Sequence, residues 1–81
     1  MYIVYILRSL KDSSRHYVGI TQDLNKRLDA HNQSKSGYTK KYAPWHVETF
    51  ITFNKKQLAT QFEKYLKSGS GHTFLKRRLL P

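Results

Sequence analysis

"YIVYIL", residues 2–7, and "YVGI", residues 17–20, are the two apolar runs from which the fold is read. Both are rich in β-branched and aromatic side chains and both are bounded by polar residues, so 2–8 and 15–20 read as strands. The connection between them, "SLKDSS" (9–14), is short, which favours an antiparallel hairpin. A loop symmetric about Lys11 sets Tyr5 opposite Tyr17 on one face, with Cβ atoms about 5 Å apart. Gly19 inside the second strand signals a bulge or a close approach of another group. Phe or Val would pack as well at positions 5 and 17 and would bring no hydroxyl to satisfy. The two phenols are therefore candidates for chemistry at a shared site, with plain β propensity as the other account of them.

Outward from the hairpin, Thr21 or Asp23 can cap a helix that runs to about Asn32. Leu24, Leu28 and His31 fall on one stripe of it, and Arg27 is the i, i+4 neighbour of His31. "QSKSGYTKKYAP" (33–44) reads as a basic loop in which Tyr38 and Tyr42 alternate with Lys35, Lys40 and Lys41. "WHVETFITF" (45–53) reads as a third strand with Trp45, Val47, Thr49, Ile51 and Phe53 on one face. Asn54 with Gln57 signals the start of a second helix. Its expected apolar stripe is Leu58, Phe62, Tyr65 and Leu66, with Glu63 at the border and Gly69 and Gly71 as its stop. "HTFLKRRLL" (72–80) is expected to form a short last helix with a basic end. The order β-β-α-β-α-α describes an α+β fold, and 81 residues are enough for one domain, 1–81.

Fifteen Lys and Arg stand against five Asp and Glu, a formal net charge of +10. Such an excess repels itself, and polyanion binding is its commonest use. A membrane surface is a weaker rival, because no apolar run approaches a span of about 20 residues. The opening "MYIVYIL" lacks the basic flank and cleavage pattern of a secretory signal. The absence of cysteine excludes disulfides, thiolate nucleophiles and cysteine-ligated zinc, and suits a cytoplasmic protein.

The acids available to hold a cation are few: Asp12 in a turn, Asp23 at a cap, Asp29 across the helix from Arg27, Glu48 on a strand, and Glu63. Glu63 borders an apolar helix face, where a carboxylate most needs a reason. One carboxylate with waters and substrate phosphate oxygens is enough for Mg²⁺. Arg27 can reach a phosphate with its planar fork, and His31 beside it can exchange a proton or touch the phosphate. Each residue also has a plain structural account. Arg27 can be a solvated charge, His31 a packed helix residue, and Glu63 half of a surface ion pair. His16, His46 and His72 lack metal-ligand spacing and read as surface residues.

The succession "VY" (4–5), "YVG" (17–19), "RLDAH" (27–31), "YTKKYAPW" (38–45) and "EKYLKSGSG" (63–71) resembles the GIY-YIG nuclease superfamily. It is most similar to small stand-alone bacterial members related to the nuclease module of the excision-repair protein UvrC. The resemblance implies a three-stranded antiparallel sheet flanked by helices, and hydrolysis of DNA phosphodiesters with one divalent ion, Mg²⁺ or Mn²⁺, in repair or recombination. It implies Tyr5 and Tyr17 as the triplet tyrosines, with Tyr17 as general base. Arg27 would stabilise the phosphate, His31 would fill a position held by histidine or tyrosine, and Glu63 would hold the metal. Lys35, Tyr38, Lys40, Lys41, Tyr42 and Lys67 are the expected nucleic-acid contacts. The first triplet, Ile3-Val4-Tyr5, lacks its glycine, and Ile20 replaces the lysine that follows the second triplet in some relatives. The alternative is a basic nucleic-acid-binding module with an inert site.

Overall fold

A computed structural model describes residues 1–34 and 37–80 of the chain. Its elements are β1 (Tyr2–Ser9), β2 (His16–Thr21), α1 (Leu24–Asn32), α2 (Gly37–Lys41), β3 (Trp45–Phe53), α3 (Lys56–Leu66) and α4 (Gly69–Phe74), followed by a π-helical turn over Leu75–Leu79. The strands form one antiparallel sheet in the order β2-β1-β3. This is the expected α+β architecture. It adds one short helix, α2, inside the segment read as a loop.

The central place of β1 explains its unbroken apolar run, because both of its faces are covered. Val4 and Ile6 pack with Val18 on one face, under Ala59, Leu66 and Leu75 from α3 and the C-terminal segment. Tyr5 and Leu7 pack with Trp45 on the other, under Leu24 and Leu28 of α1. Burying each such large side chain contributes about 1.5–3 kcal/mol.

The hairpin register differs from the expected one. Tyr5 faces Gly19, and Tyr17 faces Leu7. The turn is centred on Asp12 because Ser9 closes it: Ser9 N donates to the Arg15 carbonyl at 3.0 Å. The buried Ser9 hydroxyl accepts from the Lys11 and Asp12 amides at 3.0 and 2.9 Å, and donates to the Tyr42 carbonyl at 2.5 Å. Moving the centre by one residue moves the pairing by two, which returns every side chain to its own face. The two tyrosines therefore still share one side of the sheet.

The expected single face of β3 is divided. Ile6 pairs with Thr49 but Leu7 pairs with Val47, so Glu48 is an extra residue at a bulge. Thr49, Ile51 and Phe53 thus accompany Val4 and Ile6, while Val47 and Trp45 cross to the side of Tyr5 and Leu7.

The second long helix is also rotated from its expected setting. Lys55, not Asn54, is the N-cap of α3, and it makes no side-chain capping bond. Leu58 and Tyr65 are 50% and 40% exposed, whereas Ala59 and Leu66 are fully buried. The small Ala59 side chain lets α3 lie close on the sheet. Gly69 and Gly71 do not stop this helix. They sit in the first turn of α4, where the Ser68 hydroxyl caps the Gly71 amide. A Cβ on Gly71 would overlap the Tyr65 carbonyl and stand 3.0 Å from Leu66 N, so only glycine lets α4 seat on the end of α3. Beside Gly69 there is open space.

The expected outcome of Gly71→Ala is a loss of about 2–3 kcal/mol by chemical denaturation, because the obstacle is backbone. Gly69→Ala should stay within about 0.5 kcal/mol of the parent. Equal effects at the two positions would contradict this packing.

Candidate active site

β1, β2 and α1 bring four sequence-distant side chains together around the Tyr5 hydroxyl. Tyr5 is 1% exposed. Its ring reaches across its register partner Gly19, where a Cβ would come within 2.6 Å of the Tyr5 Cζ and closer still to the hydroxyl. Gly19 is thus a passage for a phenol, the close-approach alternative of the two expected.

At the end of that passage the Tyr5 hydroxyl meets α1. Asp23 caps the helix by accepting from Lys26 N at 3.0 Å, and its first turn carries Arg27 towards the sheet. Arg27 Nε donates to Tyr5 Oη at 3.2 Å, and Tyr5 Oη lies 2.9 Å from His31 Nε2. Arginine nitrogen can only donate. The Tyr5 oxygen therefore accepts from Arg27 and sends its own proton to His31, which fixes Nε2 of a neutral imidazole as acceptor. Burial, and then the Arg27 charge, hold His31 below the usual histidine range, in agreement with that assignment. Burial also raises the Tyr5 phenol, against the opposing pull of Arg27, so Tyr5 keeps its proton at neutral pH. Tyr5 is accordingly a positioning group. Arg27 is held more firmly protonated by Tyr5 first, with Tyr17 adding to it.

Tyr17 stands beside this relay with its ring 4.6 Å from His31 and 6.3 Å from Tyr5, both within the range of favourable aromatic contact. It also lines a cleft of about 290 Å³ at the β2 edge with His16, Val18, Leu66, Lys67, His72 and Leu75. Glu63 approaches from α3, which covers the opposite face of the sheet. Its charge is the smallest of the influences on the Tyr5 phenol, which it raises. Glu63 itself is paired with Lys67 Nζ at 3.3 Å.

The expected nucleic-acid contacts divide. Tyr38 donates to the His16 carbonyl at 3.0 Å and packs against Tyr42 and Trp45, with centroids 5.0 and 5.8 Å away. Tyr42 in turn lies under Arg15 and Lys41, at 5.0 and 5.4 Å from its ring. These two rings thus anchor α2 beside β2. Lys40 is exposed on α2, Lys67 answers Glu63, and Lys35 lies outside the described residues.

Asn32 was not anticipated. Its side-chain amide donates to the Trp45 carbonyl at 3.2 Å and accepts from the Trp45 amide at 2.6 Å. It thereby behaves as an added strand partner that ties the end of α1 to β3 and fixes the height of His31, one residue earlier. An asparagine at a helix end gives no sequence signal for such a contact.

Among the described residues no group of three or more His, Asp or Glu is placed to cage a metal. None of the helices is long and apolar enough to cross a membrane.

Residues 1–77 match the family described as the GIY-YIG catalytic domain. A structure-specific endonuclease subunit Slx1 from Talaromyces marneffei is 38% identical over 68 residues, 76% of this chain and 18% of that protein. The Slx1 subunit of Malassezia globosa is 36% identical over 67 residues, 78% of this chain and 15% of that protein. The chain thus spans less than a fifth of either relative. The solution NMR structure of a UPF0213 protein from Bacillus halodurans superposes with a TM-score of 0.58 at 26% identity, over 100% of this chain and 89% of that one.

The His31 ring should titrate with a midpoint below 6.5, the ordinary value, when followed residue by residue by NMR. The sign follows from linkage. Between the folded and unfolded midpoints only the unfolded state holds the proton. The contribution of His31 to stability is therefore full above about 6.5 and declines as pH falls from there towards the folded midpoint. A midpoint above 6.5 would mean that Nε2 is not the acceptor.

Proposed function

This chain belongs to the GIY-YIG catalytic-domain family, and from that premise we propose that it is a divalent-metal-dependent endonuclease acting on DNA. The observation that carries the reading is the hydrogen-bonded chain Arg27 Nε to Tyr5 Oη to His31 Nε2, with Tyr17 beside it. It fixes the Arg27 guanidinium close to Tyr17, whose phenol lines the cleft at the β2 edge of a strongly cationic protein. The relatives are structure-specific endonuclease subunits, which supports branched or nicked duplex as the substrate, with repair or recombination as the setting.

The donor set suits a hard cation held by one protein carboxylate. Glu63 of α3 is the candidate, and the remaining positions go to water and substrate oxygens. Glu63 would hold Mg²⁺ or Mn²⁺, which would supply charge neutralisation at the phosphate and a more acidic water. Lys67 must release the carboxylate for this to happen.

The chain's own groups account for the rest. Arg27 commits Nε to Tyr5 and directs its remaining N–H groups to a phosphate, whose developing charge it stabilises. Tyr17 takes the proton of the attacking water as that oxygen bonds to phosphorus and the opposite P–O bond breaks. Tyr5 and His31 keep Arg27 and Tyr17 in register. Lys40 and Lys41 line the approach from α2.

A second reading, an inert nucleic-acid clamp, is favoured by one observation: the Glu63 carboxylate already has Lys67 as its partner. A nicking assay on supercoiled and branched DNA with Mg²⁺ or Mn²⁺ decides between them. Cutting that stops on chelation is expected, and intact DNA under every condition supports the clamp.

Glu63→Ala should abolish cutting and leave DNA binding largely intact. Undiminished cutting by that variant refutes the metal assignment. Arg27→Ala should lower the rate about 10²–10³-fold, and Tyr17→Phe about 10²–10⁴-fold. Retention of full rate by Tyr17→Phe would remove Tyr17 from the role of base.

A further inference from the structure

On the sheet face opposite Tyr5, beneath the β1–β2 turn, Arg8, Ser13, Ser14, His16, Lys76 and Leu80 line a depression of about 50 Å³. Three of the six are basic, and they come from β1, β2 and the π-helical turn, so only the folded chain assembles them. Neither neighbouring acid lines it. Asp12 Oδ1 accepts from the Ser14 amide and hydroxyl at 3.0 and 2.6 Å, and Oδ2 faces Arg15 at 3.6 Å. Glu48 of β3 forms an ion pair with Arg8 at 3.6 Å, so an anion here would share Arg8 with that carboxylate.

His16 reports the field in this depression. Burial first, then the charges of Lys76, His72 and Arg8, hold its imidazole below the ordinary value, and every charge acting on it is positive. Such a site gains by taking an anion. Its size selects the anion, because it has room for about four water-sized groups. That matches one phosphate with its oxygens and excludes a base or a sugar. His16 also lines the cleft that contains Tyr17, Lys67 and His72, so the two depressions share a wall.

We propose that the Arg8–Ser13–His16–Lys76 depression is a second phosphate site, which holds a backbone phosphodiester of the same nucleic-acid strand whose reacting phosphate lies at Tyr17 and Arg27. The inference rests on the nuclease reading for the second phosphate's place. It extends the footprint of the protein around the β2 edge, from the α1 face to the face of Lys76. His72, whose ring lies 5.8 Å from that of His16, stands in the adjoining cleft.

The test uses the full chain in chelator, so that binding is read without cutting. Anisotropy of a labelled branched oligonucleotide over a range of salt compares Lys76→Ala with Lys55→Ala, an exposed lysine that lines neither depression. Lys76→Ala should flatten the log–log salt slope by about 0.9 and weaken binding about fivefold at 0.15 M salt, while Lys55→Ala matches the parent. Inorganic phosphate should shift the His16 ring resonances of the parent but not of Lys76→Ala, and the oligonucleotide should reverse that shift by competition. Equal slopes for the two variants overturn the proposal. So does a phosphate response that survives Lys76→Ala, or one that the oligonucleotide cannot displace, which would mark a site for a free anion. The nuclease reading fails separately, when the parent binds DNA with the expected slope and cuts none with either metal.

Discussion

One hydroxyl organises this molecule. Tyr5 Oη is buried, and a buried phenol oxygen must be given partners or its desolvation is lost outright. The fold supplies two, Arg27 on one side and His31 on the other. Meeting that demand constrains much else. The ring can reach α1 only over a residue with no side chain, hence Gly19. α1 must start where Asp23 caps it and finish where Asn32 is clamped to Trp45, or Arg27 and His31 stand at the wrong height. The result is a guanidinium held in place by a buried hydroxyl.

The second constraint is the narrowness of the sheet. With three strands, β2 is both an edge strand and a neighbour of the central one. Side chains that alternate along it serve two faces within a few ångströms. Tyr17 points to the α1 side and His16 to the side of Lys76. Leu66 of α3 and Lys67, His72 and Leu75 after it meet Tyr17 in the cleft at this edge. The chain carries a net charge of +10, and Lys67 and His72 line the cleft at this edge beside Tyr17.

The positions where expectation and structure part share one cause. The strands, α1 and α3 were legible because their apolar periodicity is local. Registers and faces were not, because distant atoms set them. Ser9 moved the hairpin centre from Lys11 to Asp12 by bonding the turn amides and the Tyr42 carbonyl. The bulge at Glu48 sent Trp45 and Val47 to the other side of the sheet. Ala59, an unremarkable residue in a helix, took the contact face that Leu58 had on pattern alone. Gly71 looked like a helix stop and is instead the contact between two helices.

By itself, the sequence determined the order of elements, the α+β class, the basic character, and the five residues that could form a reaction centre. These depend on residue type and short-range spacing, which a linear chain records. The tertiary structure alone decided which phenol is buried and which is open, which nitrogen of His31 accepts, and that Arg8, His16 and Lys76 share one depression. Those outcomes turn on desolvation and on contacts between residues up to 68 positions apart (8 to 76), quantities that exist only once the chain has closed on itself.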